Sequence, residues 1–238
     1  MAAKASRSPW EQGFPPVFIH APRLEVTTHP WFVAARTGDV DAAALLVADT
    51  LSGEVTDRLA QLGEGKNPIL AAVHARKLEG LSVVGAVLAS GLQQLLGWEM
   101  DTELVQANIV DHHGDIGISR LACQAVFDGF VQAGRAYVLV DDFIGLGGTM
   151  ANLRGHILRH GGQVLGATVL TGKPAAAALV PDAATLLEAR SKHGSIESWW
   201  RDQFGFGFDC LTAAEAGFVV GNKDSADLRA RIEALGCA

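Results

Sequence analysis

Two runs of five apolar residues, Ile69-Leu70-Ala71-Ala72-Val73 and Ala136-Tyr137-Val138-Leu139-Val140, stand out from polar surroundings. A continuous apolar run this short predicts a strand buried on both faces, as in a parallel sheet. Residues 164–170 repeat the signal and residues 103–107 give a weaker one. Apolar positions recur at helical spacing over 30–62, 81–96 and about 149–159. Gly38 and Asp39 split the first of these, with Asp39 placed to cap a second helix. Gly97 ends the 81–96 helix, and Gly161-Gly162 stop the one at 149–159. Strand, loop, helix and strand in this order imply right-handed crossovers and a parallel sheet.

The segments between are polar. Residues 63–68 read as a linker and 74–80 as a loop. Residues 108–119 are rich in His, Asp and Gly and read as a mobile loop. At the N-terminal end, residues 1–28 carry Pro9, Pro15, Pro16 and Pro22 with Trp10, Phe14 and Phe18 between them. That pattern predicts an extended arm whose aromatic residues pack on the rest of the chain. Beyond Pro174 come an alanine-rich stretch, an aromatic cluster from Trp199 to Phe208, and two helices. Thr212-Ala213-Ala214-Glu215 has the form of a capping box for the first of these. The division expected is an N-terminal arm and helical extension (1–65), a core (66–175) and a C-terminal segment (176–238) that completes the core or a hood.

Composition narrows the function. With 238 residues, 49% hydrophobic and 19% charged, the chain can bury a core without staples. A net charge of −7 argues against nonspecific nucleic-acid binding, which needs clustered Lys and Arg. It leaves room for a small anion held by local backbone donors. Cys123, Cys210 and Cys237 follow no metal spacing and read as reduced thiols of a cytoplasmic protein. Residues 1–9 show no secretory signal. Residues 81–96 fall short of the ~20 apolar residues of a membrane span and include Gln93 and Gln94.

The chemistry concentrates in Val138-Leu-Val-Asp-Asp-Phe-Ile-Gly-Leu-Gly-Gly-Thr-Met150. A buried strand delivers two carboxylates to its C-terminal end, where open α/β sheets bind ligands. A glycine-rich turn then opens a helix, whose first amides and dipole suit a phosphate. Carboxylates beside a phosphate make sense if they hold hydroxyls or magnesium. A ribose 5-phosphate offers that combination.

This segment resembles the phosphoribosyl pyrophosphate motif of type I phosphoribosyltransferases: apolar strand, two acids, two apolar residues, a Gly-rich turn, Thr. The resemblance covers about residues 68–170. It implies an α/β fold, a parallel sheet flanked by helices, and a Mg2+-dependent enzyme. Its partners would be phosphoribosyl pyrophosphate and a nitrogenous small-molecule acceptor; the charge and the hydropathy pattern add that neither nucleic acid nor membrane is expected. It implies that Asp141 and Asp142 serve the ribose hydroxyls, partly through magnesium. Gly145, Leu146, Gly147, Gly148 and Thr149 would hold the 5-phosphate. By position, Arg76 and Lys77 would grip pyrophosphate, and residues 108–119 would form a hood that closes over the reaction. Arg120 would contact pyrophosphate or form a salt bridge. Lys173 would contact the nucleobase or lie in solvent.

The sequence departs from that family at Gly145 and Leu146. Enzymes of the family that act on 6-oxopurines carry an acid at the Gly145 position to manage the ring proton, and glycine cannot. A 6-oxopurine acceptor is therefore not expected. His112, His113 and Asp115 are either incidental loop residues, weak metal ligands, or groups that reach the substrate on closure. The Trp199–Phe208 aromatics form a core or homodimer patch, or a platform that stacks on a base. Beside the transferase stand two other readings: a noncatalytic regulator that keeps the sugar-phosphate cradle, and a hydrolase or phosphorylase of a ribose phosphate.

Overall fold

The computed structural model describes residues 4–73, 76–77, 80–81, 83–110 and 116–237. In chain order these form β1 (Phe18–Ile19), α1 (Arg23–Thr27), α2 (Phe32–Arg36), α3 (Val40–Thr50), α4 (Gly53–Gly63), β2 (Ile69–Ala72), β3 (Arg76–Lys77), β4 (Gly80–Leu81) and α5 (Val84–Leu96). There follow β5 (Glu99–Met100), β6 (Val105–Gln106), α6 (Ile116–Ala122), β7 (Phe127–Asp128), β8 (Ala136–Ile144), α7 (Gly148–Arg159), β9 (Gln163–Gly172), α8 (Ala183–His193), α9 (Glu197–Phe204), α10 (Ala213–Gly221) and α11 (Ser225–Glu233).

Five strands in the order β1-β9-β8-β2-β5 make one sheet, parallel throughout. Its residues alternate between two cores, as a strand's period of two requires. Leu70, Ala72, Val138 and Val140 pack with α3, α4 and α5 on one face. Ile69, Ala71, Tyr137 and Leu139 pack with Leu153 and Ile157 of α7 on the other. A parallel sheet with helices on both faces is the architecture the apolar runs predict. Among the described residues, no helix is long and apolar enough to cross a membrane.

Caps follow the sequence closely. The Asp39 carboxylate accepts from the Ala42 amide at the start of α3, and Gly97 ends α5 at φ 69°. The Thr212 and Glu215 capping box at α10 has both halves in place.

Several expectations need correction. The arm over 1–28 is not extended throughout: Phe18–Ile19 is the sheet's edge strand, paired with β9, and Arg23–Thr27 is helical. Its aromatics do pack, for the Arg154 guanidinium lies 4.7 Å from the Trp10 ring and 5.4 Å from Phe14. The strand expected at 103–107 shortens to Val105–Gln106, which pairs with β7 outside the main sheet. The sheet's edge is instead Glu99–Met100, too short for periodicity to reveal. The loop at 74–80 contains an antiparallel ribbon, Arg76–Lys77 against Gly80–Leu81, so α5 begins at Val84 rather than 81.

The loop expected over 108–119 ends early. Its helix α6 starts at Ile116, and Ile118 and Ser119 are buried, Ile118 in a third core beneath the C-terminal helices. His112, His113 and Asp115 lie outside the described residues. Trp200, Phe204, Phe206 and Phe208 belong to that same core, in edge-on and stacked contacts. The thiol reading fails for two cysteines: Cys123 and Cys237 form a disulfide across 114 residues. Cys210 is free and buried, and burial pushes its thiol up to about 11.

Candidate active site

The β8 strand runs four residues further than its apolar core predicts, through Asp141, Asp142, Phe143 and Ile144. Phe143 and Ile144 stay in register with Thr171 and Gly172 of β9, so the turn shrinks to Gly145, Leu146 and Gly147. Asp141 and Asp142 are half-buried at the carboxyl end of a central strand, paired on both sides near that point. The Asp141 carboxylate accepts a 2.8 Å hydrogen bond from the Asp142 amide, which fixes its direction. The first turn of α5 closes over them. A Cβ on Gly85 would lie 3.4 Å from the Asp142 nitrogen, so a bulkier residue there would press on the acids' backbone.

Gly147 is the N-cap of α7, with φ 83°, a conformation that L side chains rarely adopt. No side chain caps this helix. Its first amides have no acceptor within the helix and, with the helix dipole, point positive charge out of the helix start. The Thr212 hydroxyl donates to the Leu146 carbonyl and holds that oxygen against the C-terminal segment. Gly147 has a second reason to be glycine. A Cβ there would meet Leu179 Cδ2 at 2.7 Å and Thr212 Cγ2 at 3.2 Å, so it faces the protein interior rather than an approaching phosphate.

Behind the cradle lies an ion pair the sequence did not announce. Arg7 and Glu215 bond through two guanidinium nitrogens at 2.6 and 2.8 Å, and both side chains are fully buried. Arg7 also donates to Asn152 of α7 and to Gln124, and its guanidinium lies 4.3 Å from the Phe206 ring centroid. The Glu215 carboxylate would sit 2.6 Å from a Cβ on Gly148, the first residue of α7. A bare carboxylate there would repel any anion at the helix start, and Arg7 neutralises it. Only the capping-box half of this arrangement was legible in advance, at Thr212 and Glu215. Arg7 lies 208 positions from Glu215, and no local pattern links them.

The other candidate residues divide. The Arg76 and Lys77 backbone lies in the ribbon that follows β2, whose end adjoins β8. Lys173 is exposed, and its amide donates to the Ile144 carbonyl, so it stands at the same sheet end as the acids. Thr149 occupies the first turn of α7 and is half-buried. Arg120, half-buried at the end of α6, lies against Gly145 in the space a Cβ would need. Burial holds its guanidinium below the ordinary value, and the charge of Arg23 adds to that effect. Arg23, whose guanidinium lies 5.7 Å from the Phe143 ring centroid, is a neighbour of this region that sequence reasoning did not single out.

No protein-family model matches the chain. It is 34% identical over 233 residues to Protein TraN of Escherichia coli, covering 98% of this chain and 52% of that protein. It is 33% identical over 153 residues to an uncharacterised protein of Haemophilus influenzae, covering 64% of this chain and 34% of that one. The chain thus spans about half or less of the length of these relatives. Among solved structures, an adenine phosphoribosyltransferase aligns over 56% of this chain and 76% of its own, with 14% identity and a TM-score of 0.36. A second, from Thermoanaerobacter pseudethanolicus, aligns over 57% and 85%, with 16% identity and a TM-score of 0.35.

Proposed function

We propose that this chain is a phosphoribosyltransferase, moving ribose 5-phosphate from phosphoribosyl pyrophosphate to a nitrogenous acceptor other than a 6-oxopurine. One observation carries the reading. A central parallel strand carries Asp141 and Asp142 near its carboxyl end, and a three-residue turn, Gly145 to Gly147, then leads into a helix whose N-cap is a positive-φ glycine with no capping side chain. An uncapped helix start beside two carboxylates suits a phosphate joined to a polyol, and few other ligands offer both.

In this mechanism the Gly147–Thr149 amides and the Thr149 hydroxyl bind the 5-phosphate. The Asp141 and Asp142 carboxylates accept from the ribose hydroxyls and face the positive charge that develops on the sugar. Their hard oxygen donors fit magnesium, which when bound would neutralise charge on the departing pyrophosphate. Arg76 and Lys77 assist that departure. The acceptor nitrogen donates its lone pair to ribose C1, the C1–O bond breaks, and pyrophosphate leaves with the electron pair. The acceptor's ring proton passes to solvent, because Gly145 has no side chain to take it. Catalysis rests on charge complementarity to an oxocarbenium-like transition state rather than on a strong base.

Incubation with phosphoribosyl pyrophosphate, magnesium and a panel of nitrogenous acceptors tests this, with pyrophosphate release as the readout. Release that depends on an acceptor is expected. Binding of the sugar phosphate without release for any acceptor would replace the transferase by the noncatalytic regulator.

A further inference from the structure

Two arginines converge on Phe143 at the carboxyl end of β8. The Arg23 guanidinium, on the exposed first residue of α1, lies 5.7 Å from the Phe143 ring centroid, and that of Arg120 lies 6.0 Å from it. Arg120 also rests against the Gly145 backbone, so the missing side chain at that position is what admits the guanidinium. Phe143 itself is half-buried, two residues past Asp141. Among the described residues, neither arginine has an acidic partner, and the neighbour that perturbs Arg120 is the like-charged Arg23. Two cations held around one ring repel unless an anion joins them. Arginine forks match a planar carboxylate in bidentate fashion. The Phe143 ring beside them offers an apolar surface to a conjugated heterocycle.

We propose that Arg23, Arg120 and Phe143 form the acceptor subsite, and that the acceptor is a planar nitrogen heterocycle bearing a carboxylate. This rests on the phosphoribosyltransferase reading and adds to it the acceptor's charge. Glycine at 145 then has a positive role: it places a cation, rather than a proton acceptor, beside the incoming ring. The carboxylate docks between the guanidinium groups while the ring lies along Phe143.

The test is calorimetry on the full chain with ribose 5-phosphate and magnesium present. The probes are pyridine, pyrimidine and imidazole carboxylates, each against its own uncharged carboxamide, with inorganic pyrophosphate as a separate probe. At least one carboxylate should bind about tenfold or more tightly than its amide, the effect expected of charge-assisted hydrogen bonds. That preference should vanish in Arg120→Gln and in Arg23→Gln, the second being an exposed position. No preference for any carboxylate, a preference that survives in both variants, or variants that weaken pyrophosphate instead would overturn the inference. If ribose 5-phosphate itself fails to bind the unaltered chain, the transferase reading falls. If it binds and the carboxylates do not, only the acceptor assignment falls.

Discussion

Replacing Arg7 with Met should destabilise the chain more than almost any other single change outside the sheet. The guanidinium gives Glu215 two hydrogen bonds of 2.6 and 2.8 Å, gives Asn152 one of 2.6 Å and Gln124 one of 2.8 Å, and both members of the ion pair are fully buried. Met fills much of the same volume but leaves a buried carboxylate without its counter-charge. Breaking a buried pair from one side costs about 3–5 kcal/mol. With a urea m-value of about 1–3 kcal/mol/M, the unfolding midpoint should fall by roughly 1 M or more at unchanged m. Adding Glu215→Gln removes the stranded charge while keeping an acceptor for the Thr212 amide. The double variant should therefore regain part of the loss, on the order of 1–3 kcal/mol. Arg7→Met should also weaken ribose 5-phosphate binding, because the Glu215 carboxylate beside Gly148 then faces the cradle unneutralised. A loss below about 1 kcal/mol, or a double variant as unstable as the sum of its parts, would refute the argument.

Three further outcomes are expected. Gly147→Val should lower the melting temperature as well as abolish 5-phosphate binding, since its Cβ would meet Leu179 at 2.7 Å and the residue sits at φ 83°; a variant that is fully stable yet unable to bind would mean the side chain obstructs only the ligand. Burial holds His20 down to about 4 from an ordinary 6.5, with the Ser52 amide donating to Nδ1. A folded value below the unfolded one means that stability is full above pH 6.5 and falls as pH drops from there towards 4. The fall is on the order of 3 kcal/mol, and urea titrations of His20→Asn should show a shallower acid limb. Hypoxanthine and guanine should be poor acceptors, because the proton-managing group that Gly145 omits is typically worth ~10²–10⁴ in rate, whereas turnover of order 1–10³ per second on hypoxanthine would show that another group substitutes.

The central sheet was legible because Ile69–Val73 and Ala136–Val140 are buried on both faces and leave an uninterrupted apolar signature. The glycine turn was legible because positive φ and close packing both exclude other residues. Short edge strands were not: Phe18–Ile19 and Glu99–Met100 offer two residues each, below any readable period. The α6 start was missed because Gly117 and Ser119 look like loop residues, although Ser119 is fully buried. Gly145 was read as a missing acid, and only geometry shows that Arg120 occupies the space. Pairing of Cys123 with Cys237, and of Arg7 with Glu215, depends on contacts across more than a hundred residues that no local pattern encodes.

The most direct test of the account is calorimetric titration of ribose 5-phosphate, with magnesium, into the unaltered chain and into the Asp141→Asn, Asp142→Asn double variant. Half-buried paired acids at a strand end that serve a ligand or metal should be dispensable for folding and essential for binding. The account predicts saturable binding to the unaltered chain, and none to a double variant whose melting curve remains cooperative. Equal affinity for both proteins would contradict it.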